Sequence, residues 1–535
     1  MAASPQARRP ALEIRDIARW LLFGSVVFSP LVALVLASGQ ALAQGQSAWL
    51  RLILPSGRQL TLLLRSLGLS AGVALLDILL GLLIVCAAWR WGRRWAWVRW
   101  LPLALLALPP YIHALAWSDL LYQLTLRLGL FPPAGLWVSG WVMAMAFLPV
   151  GVGLALIGLE TVAPALVDAA RTHHTDMTTL WRVVLPLAGP LLAAGGSLLF
   201  LLSLMDYSVP SLFGVNVYAL EIFAEFSASH QPVRAFLLAT PLLALAAVTL
   251  FAGQRFLRRA AQLPVRGGSP WCTPPRWSSG FTLAQHGALA VWAVQTLLPL
   301  ATLARLTWTG EGLQSTLQPA LRELGFSFGV AGAAALLSLP LAWLVLDTLP
   351  RHARLHTFGW LLFLPAAIPA PLVGIGLITL WNRPIFNALY ATAWMPILAA
   401  LARFAPLAVL LTLAQQQRVD PLLWDAARIF QANDHHASWR VRLPLLAPGL
   451  LAGASLVFAL TLGELGATLI VAPPGQSTLT LRIYNYLHYG ASDVVAGLCL
   501  VMVLLTLAAG AVGVLALAWG ARRATLSEPH RTTLL

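Results

Sequence analysis

Two copies of one polar segment hold the residues of this chain whose types and spacing suggest a chemical role. Each copy reads P-x-x-x-D-A-A-R and then, nine or ten residues later, W-R-V-x-L-P-L-x-x-P, beginning at Pro164 in the first copy and at Pro421 in the second. The two alanines after the aspartate leave one helix face flat, so the backbone of another protein can approach it closely. The pattern therefore predicts recognition of a partner at two places.

Each copy is predicted to fold as a short helix, a turn and a second short helix. Pro164 and Pro421 suit the first turn of a helix, where a missing N–H is no loss. Asp420 is a suitable N-cap in the second copy. The alternative is an interfacial hairpin that only anchors two membrane spans, and the recurrence of the segment favours the docking role.

Two carboxylates occupy corresponding positions in apolar stretches. Asp206 lies twenty residues beyond Pro186, and Glu464 lies twenty residues beyond Pro444. Because a helix rises about 1.5 Å per residue, both acids are predicted at the outer ends of their spans. Two acids near one axis would favour a cation and repel an anion. The alternative is a pair of solvated helix ends.

Arg403 is the third candidate for a translocation pathway, because it lies in the middle of an apolar stretch. Exposure of this arginine to lipid would cost about 2.5 kcal/mol or more, so it must face the bundle interior or a wet path. It either pairs with a carboxylate or backbone carbonyl, or lines the pathway.

No metal site is predicted, because no cysteine or carboxylate lies at ligand spacing from the two histidine pairs of the polar segments, His173, His174, His435 and His436.

Composition places these residues in a membrane. Of the residues, 59% are hydrophobic and 10% are charged, and apolar runs of about twenty residues recur along the chain. The formal net charge is +15, but the arginines cluster between apolar runs and no soluble domain offers a nucleic-acid surface.

All 34 basic residues are arginine. Without lysine the chain is neither a standard P-loop ATPase nor a Schiff-base enzyme, and we predict a non-enzymatic protein.

The fold is predicted as an all-α polytopic membrane protein with about twelve transmembrane helices in two parallel six-helix repeats. The predicted spans are 18–42, 66–88, 97–122, 135–159, 184–206, 233–255, 284–307, 321–347, 357–382, 391–415, 444–470 and 492–519. The repeats are 1–255 and 284–535, and the polar, turn-rich segment 256–283 is the linker. Two shorter matches, Leu-Pro at 108–109 with 364–365 and Gly-x-Ser at 68–70 with 325–327, support a pseudo-two-fold axis along the membrane normal.

The distribution of arginine predicts the orientation. If both termini are cytoplasmic, most arginines fall in cytoplasmic segments, and both polar segments lie there too. The first apolar run is longer than the core of a usual secretory signal, and its counterpart near 284–307 is internal. We therefore expect the first span to be retained.

The polar segments resemble the E-A-A loop of the membrane subunits of binding-protein-dependent ABC importers, a cytoplasmic loop whose coupling helix fits a cleft in the ATPase subunit. Aspartate replaces the family's glutamate in both copies, and His174 and Gln431 replace its usual glycine. The run G-E-L-G-A-T around Glu464 resembles the fused, two-half permeases for ferric iron and thiamine. The resemblance implies that the coupling loops are formed by Asp168, Ala169, Ala170, Arg171, Trp181, Arg182, Asp425, Ala426, Ala427, Arg428, Trp439 and Arg440.

The resemblance also implies a function. The chain would be the permease of an ABC importer in the bacterial cytoplasmic (inner) membrane, with two copies of an ATPase subunit on its cytoplasmic face and a soluble substrate-binding protein on its outer face. It would bind no cofactor itself, and ATP and Mg would be bound by the ATPase. The substrate would be a cation such as iron(III), with thiamine or another small solute as the alternative.

A rival class is the ion-coupled, twelve-span secondary transporter. The 6+6 repeat and the run W-G-R-R at 91–94 favour it, because the run is faintly similar to a loop of the major facilitator family. That loop's aspartate is missing here, and the class has no reason to duplicate the D-A-A-R segment. A membrane enzyme is a third alternative, but no nucleophile, base and orienting group converge at a recognisable spacing.

Overall fold

The structure is a computed structural model that describes residues 14–90, 101–105, 108–129, 134–260, 271–309, 313–348, 362, 364–430, 433–489 and 492–526. Every regular element in these ranges is helical. Within the described residues, nine helices are long and apolar enough to cross a membrane, and the number of candidate spans rises to eleven if each of two bent helix pairs counts as one. The prediction of an all-α polytopic membrane protein is confirmed.

The α-helices of the first repeat are α1 Ile14–Val27, α2 Ser29–Ala43, α3 Arg58–Arg90, α4 Leu101–Leu105, α5 Pro110–Leu128, α6 Leu136–Leu159, α7 Pro164–Arg171, α8 Asp176–Thr179, α9 Leu185–Met205, α10 Ser208–Leu212, α11 Tyr218–Ser229 and α12 Pro232–Ala260. Those of the second repeat are α13 Ser279–Thr309, α14 Leu313–Leu317, α15 Leu321–Thr348, α16 Ala370–Trp381, α17 Asn387–Tyr390, α18 Trp394–Arg418, α19 Pro421–Phe430, α20 Asp434–Ala437, α21 Leu443–Leu462, α22 Thr468–Val471, α23 Leu479–Tyr489 and α24 Ser492–Leu526.

Each of the eleven observed spans overlaps one of the twelve predicted intervals. The interval without a counterpart is 97–122, which α4 and α5 occupy in part. Helix α5 is too polar to qualify by itself, because it carries His113, Asp119, Gln123 and Arg127. Asp119 is paired with Arg305 of α13, and their side-chain atoms are 2.5 Å apart. The total of twelve spans therefore stays a prediction.

A pair of equivalent hydrogen bonds reveals the register of the repeat. The Tyr218 backbone N–H donates to Ser66 Oγ at 2.8 Å, and the Leu479 backbone N–H donates to Ser327 Oγ at 2.7 Å. Both bonds join residues 152 apart. The counterpart of Ser327 is therefore Ser66, at 327 − 66 = 261, whereas the short Gly-x-Ser match had paired it with Ser70, at 327 − 70 = 257.

The Leu-Pro match is displaced in the same way. Helices α5 and α16 are equivalent, and their N-caps are Pro109 and Pro369. The counterpart of Pro109 is thus Pro369, and the pairing with Pro365 was wrong. Connections between helices differ in length by a few residues between the repeats, so a two-letter match can be found one helical turn away from the true position.

The two repeats exchange their first helices. Helix α1 packs against α15 and α18 of the second repeat, and α2 packs along α16. In return, α13 packs against α3, α5 and α6 of the first repeat. The contact between α2 and α16 is close, because a Cβ on Gly376 would lie 2.3 Å from the Pro30 carbonyl oxygen. The repeats therefore interlock in space although they are separate in sequence.

A glycine contact between α3 and α6 gives a first prediction. A Cβ on Gly81 would lie 2.6 Å from the Gly151 carbonyl oxygen, whereas a Cβ on Gly72 of the same helix would meet nothing within 4 Å. We expect Gly81→Ala to cost about 1–3 kcal/mol through overpacking. Gly72→Ala should be neutral or stabilising, because alanine favours a helix over glycine by about 1 kcal/mol. The measurement is the apparent unfolding temperature in detergent, and equal temperatures for the two variants would contradict the packing.

Candidate functional site

The two D-A-A-R segments have the same architecture. In each, a short helix is followed by a second short helix and a π-helical turn that runs directly into a long apolar helix. The elements are α7, α8, the π turn Leu180–Val184 and α9 in the first copy, and α19, α20, the π turn Ser438–Arg442 and α21 in the second. We call these the first and second loops. The predicted helix, turn and helix are confirmed in the first loop, and the two predicted short helices are confirmed in the second.

Local sequence explains the helix starts in the two loops. Pro164 and Pro421 are the first residues of α7 and α19, as predicted. Asp420 Oδ1 accepts the Leu422 backbone N–H at 2.9 Å, which satisfies one of the free donors of the first turn. In the first loop, Thr175 Oγ1 caps α8.

The π turns are features that the sequence analysis missed. The backbone N–H of Leu185 donates to the Leu180 carbonyl, and that of Leu443 donates to the Ser438 carbonyl. In both loops the next residue is proline. A proline inside a helix clashes with the carbonyl four residues earlier, and the wider π turn relieves this contact. The signal was present in the repeated W-R-V-x-L-P sequence.

Exposure identifies the outward surface of the loops. Trp181 and Trp439 are 59% and 60% exposed, and Arg182 and Arg440 beside them are also exposed. Ala169 is exposed, whereas Asp168, Ala170 and Ala426 are half-buried. The side chains of Asp425, Ala427 and Arg428 lie outside the described residues. Further exposed large apolar side chains of the two loops are Leu166, Leu422, Leu423, Ile429 and Phe430.

Arg171 is bonded within the protein, and its contact with a partner stays a prediction. Its Nε lies 2.7 Å from Asp176 Oδ1, and its Nη1 donates to Thr273 Oγ1 at 2.5 Å. Its guanidinium carbon lies 5.3 Å from the centroid of the Trp271 ring. Arg171 therefore holds the loop against the segment that connects the two repeats, because partners on both sides satisfy its charge and its donors.

Asp168 gives a second prediction through its neighbour Cys272. A hydrogen bond to the Asp168 carboxylate, together with its charge, raises the pKa of the exposed Cys272 thiol. Because the thiolate is the reactive form, labelling of Cys272 should be slower than that of an ordinary thiol near pH 8. Asp168→Asn should shift the rate profile to lower pH and speed labelling by N-ethylmaleimide. Asp420→Asn is the matched control, and an unchanged profile in Asp168→Asn would contradict the contact.

The three charged pathway candidates interact with one another. Arg403 Nη1 of α18 forms an ion pair with Glu464 Oε2, and Glu464 Oε1 accepts the Ala467 backbone N–H at 2.8 Å. Asp206 interacts electrostatically with Arg403, and Asp206 Oδ1 accepts Ser208 Oγ at 2.8 Å. Asp206 comes from the first repeat and the other two residues come from the second. We call these three residues the charge cluster.

Burial changes the interpretation of Glu464. This residue is 7% exposed, so it is not a solvated helix end. A buried carboxylate needs a partner, and Arg403 supplies one. Of the two alternatives for Arg403, pairing with a carboxylate is thus observed. The cluster holds two acids and one arginine, and its formal charge is negative.

Small residues allow the two repeats to meet beside the charge cluster. A Cβ on Gly463 would lie 2.6 Å from Pro109 Cγ, and one on Gly466 would lie 2.5 Å from Ala370 Cβ and 3.3 Å from Tyr207 Cε1. Elements of the first repeat, at Pro109 and Tyr207, therefore touch the run that carries Glu464. This contact was not predicted from the sequence, although the glycines on both sides of the glutamate were a usable signal.

Known proteins similar to this chain are membrane permeases. Residues 356–525 match the family described as binding-protein-dependent transport system inner membrane component. The molybdenum transport system permease protein of Escherichia coli K12 is 30% identical over 208 residues, which are 35% of this chain and 90% of that protein. The Fe(3+)-transport system permease protein of Haemophilus influenzae is 23% identical over 401 residues, 71% of this chain and 75% of that protein.

A third similar protein is covered less fully. The putative 2-aminoethylphosphonate transport system permease protein of Salmonella typhimurium is 28% identical over 160 residues, which are 29% of this chain. The chain spans only 60% of that protein's length. The match to the Fe(3+) permease is longer than either repeat, so it includes parts of both.

Proposed function

Because the chain belongs to the family of binding-protein-dependent inner membrane transport components, we propose that it forms the whole membrane pathway of an ABC importer. Both repeats of one chain would line the path for a small solute that a soluble binding protein delivers at the outer face. ATP would be hydrolysed by a separate subunit, and both termini would lie in the cytoplasm. The duplicated loops are the observation that supports this most strongly.

The loops suit the docking of two copies of an ATPase. Each presents a short helix with a small side chain at the same position, which is exposed at Ala169 in the first loop and half-buried at Ala426 in the second. Each also presents one tryptophan that is more than half exposed. Tryptophan and arginine are the side chains most often found at the energetic centres of protein interfaces. Two matched surfaces of this kind fit two copies of one partner.

The chemistry of ATP hydrolysis belongs to the partner in this proposal. The chain has no lysine, and a P-loop uses lysine to reach the phosphates. The permease would bind no cofactor of its own, and ATP and Mg would stay on the ATPase. Its own contribution would be mechanical, since movement of the loops on the docked ATPase would tilt the helices that follow them, α9 and α21.

Iron(III) is the substrate that we propose. The similar Fe(3+) permease aligns with this chain over 401 residues, whereas the molybdenum and aminoethylphosphonate permeases align over shorter stretches. The charge cluster has two acids and one arginine, so its formal charge is negative, and a negative charge near the contact of the repeats would favour a cation. Thiamine, also a cation, is the alternative.

Purification with native partners tests the proposal. In mild detergent the chain should retain two ATPase copies, and native mass spectrometry should give a ratio of one chain to two. The soluble binding protein of the same system should carry iron by elemental analysis. Recovery of the chain without any ATPase under conditions that preserve its fold would count against the assembly. A binding protein that holds thiamine and no metal would identify thiamine as the substrate in place of iron(III).

A further inference from the structure

The segment that connects the two repeats lies against the first loop. Helix α12 ends at Ala260 and α13 begins at Ser279. Of the residues between them, the structure describes 271–278, and these are not helical. We call residues 271–278 the connector. Thr273 accepts from Arg171 through its side-chain oxygen at 2.5 Å and its carbonyl at 3.3 Å. Asp176 Oδ2 accepts the Arg276 backbone N–H at 2.6 Å.

Apolar contacts hold the connector in place as well. Trp271 is 5% exposed and belongs to the same apolar cluster as Val167 and Leu180 of the first loop. The ring of Trp271 meets that of Trp277 edge to face, with centroids 5.4 Å apart. Trp277 Nε1 donates to the Cys86 carbonyl of α3 at 3.3 Å. This part of the predicted linker is therefore packed on the first loop, and the polar, turn-rich sequence gave no sign of that.

The connector also presents an exposed edge. Cys272, Thr273, Pro274 and Arg276 are exposed, and they lie beside α7 because Thr273 bonds Arg171 and the Cys272 thiol interacts with the Asp168 carboxylate. Helix α7 has eight residues and is about 12 Å long. A specific protein interface buries roughly 800 Å² on each partner, which is about 20–30 residues. A protein seated on α7 must therefore extend over the neighbouring exposed surface.

We propose that connector residues 272–276 form part of the first docking site for the ATPase. The proposal rests on the docking role proposed above for the loops, and it adds a surface that is absent from the D-A-A-R motif. The exposed Arg276 and Arg182 give this surface a positive charge, so the partner should place acidic or carbonyl groups opposite it. Arg171 and Trp271 keep the connector and α7 at a fixed relative position, so that one partner can contact both.

Thiol protection tests the inference on the full chain. Three proteins are labelled with a fluorescent maleimide, alone and with the ATPase bound. One is the native chain, which reacts at Cys272 because Cys86 and Cys499 are buried. The second carries Cys272→Ala with Ala169→Cys, and the third carries Cys272→Ala with the outer-loop change Gln476→Cys. When about nine-tenths of the chain is complexed, labelling at a contacted site should fall about tenfold, since only the free fraction reacts.

The pattern of protection decides the outcome. We expect protection of the native chain and of the Ala169→Cys protein, with no change in the Gln476→Cys protein. Protection of the Ala169→Cys protein alone would overturn the connector's role and leave the docking of the loops intact. If neither the native chain nor the Ala169→Cys protein is protected, both the connector's role and the docking of the loops are overturned. Protection of Cys272 by lipid nanodiscs without ATPase would assign the connector surface to the membrane and would also overturn the inference.

Discussion

The double variant Ala169→Glu with Ala426→Glu should lose both ATPase copies and all uptake, while it still folds and inserts into the membrane. Ala169 is exposed on α7, and Ala426 occupies the equivalent position of α19, at 426 − 169 = 257. A glutamate on this small-residue face would clash with a closely approaching partner and would bury an unpaired charge. Changes at the centre of an interface cost about 2 kcal/mol or more, which is roughly a 30-fold loss of affinity.

The single variants separate the two sites. Ala169→Glu alone should leave one ATPase on the second loop, and Ala426→Glu alone should leave one on the first. Native mass spectrometry counts the bound copies, and Gln476→Glu is the control for an added charge on an exposed loop elsewhere. If two copies still bind the double variant and uptake persists, the loops are not the docking surface.

Removal of Arg403 should strongly destabilise the protein, and removal of its partner in the same chain should restore most of the stability. The side chains of Arg403 and Glu464 are 21% and 6% exposed, so solvent screens the pair weakly. Breaking a buried pair from one side costs about 3–5 kcal/mol, because a buried charge stays unpaired. Replacing both members with apolar residues of similar volume is often neutral.

The test of the ion pair is a double-mutant cycle. Arg403→Met and Glu464→Met should each lower the apparent unfolding temperature in detergent, and the double variant Arg403→Met with Glu464→Met should recover most of the loss. Arg383→Met, at an exposed arginine in the loop after α16, is the matched control and should change little. If the effects of the two single changes simply add in the double variant, the residues are not coupled and the ion pair does not stabilise the fold.

Local sequence predicted those parts of the fold that local chemistry determines. Apolar runs located the spans, because a helix in lipid must satisfy its backbone internally and present apolar side chains over about 30 Å. Proline at the start of α7 and α19 located the short helices of the loops. The spacing of Asp206 and Glu464 from the loop prolines placed both acids at comparable depth, and the structure brings them to one arginine, Arg403.

Contacts between distant segments could not be predicted in this way. The orientation of Arg171 depends on Thr273, which lies 102 residues further along the chain. The exchange of α1 and α13 between the repeats depends on packing in three dimensions, and neither helix carries a sequence signal for its partner. The register of the repeat was not predicted, because the connections between helices differ in length in the two repeats. Ser66, the true counterpart of Ser327, therefore lies one helical turn before Ser70, the serine of the matching sequence.

Uptake by vesicles with a controlled energy source tests the central claim most directly. Proteoliposomes would hold the chain with its ATPase, and the iron-loaded binding protein would be added on the outer side. We predict that labelled iron(III) enters only when ATP is supplied on the ATPase side, and that collapse of proton and sodium gradients by ionophores leaves the rate unchanged. Uptake that proceeds without the ATPase and stops when an ion gradient collapses would contradict the account and identify a secondary transporter.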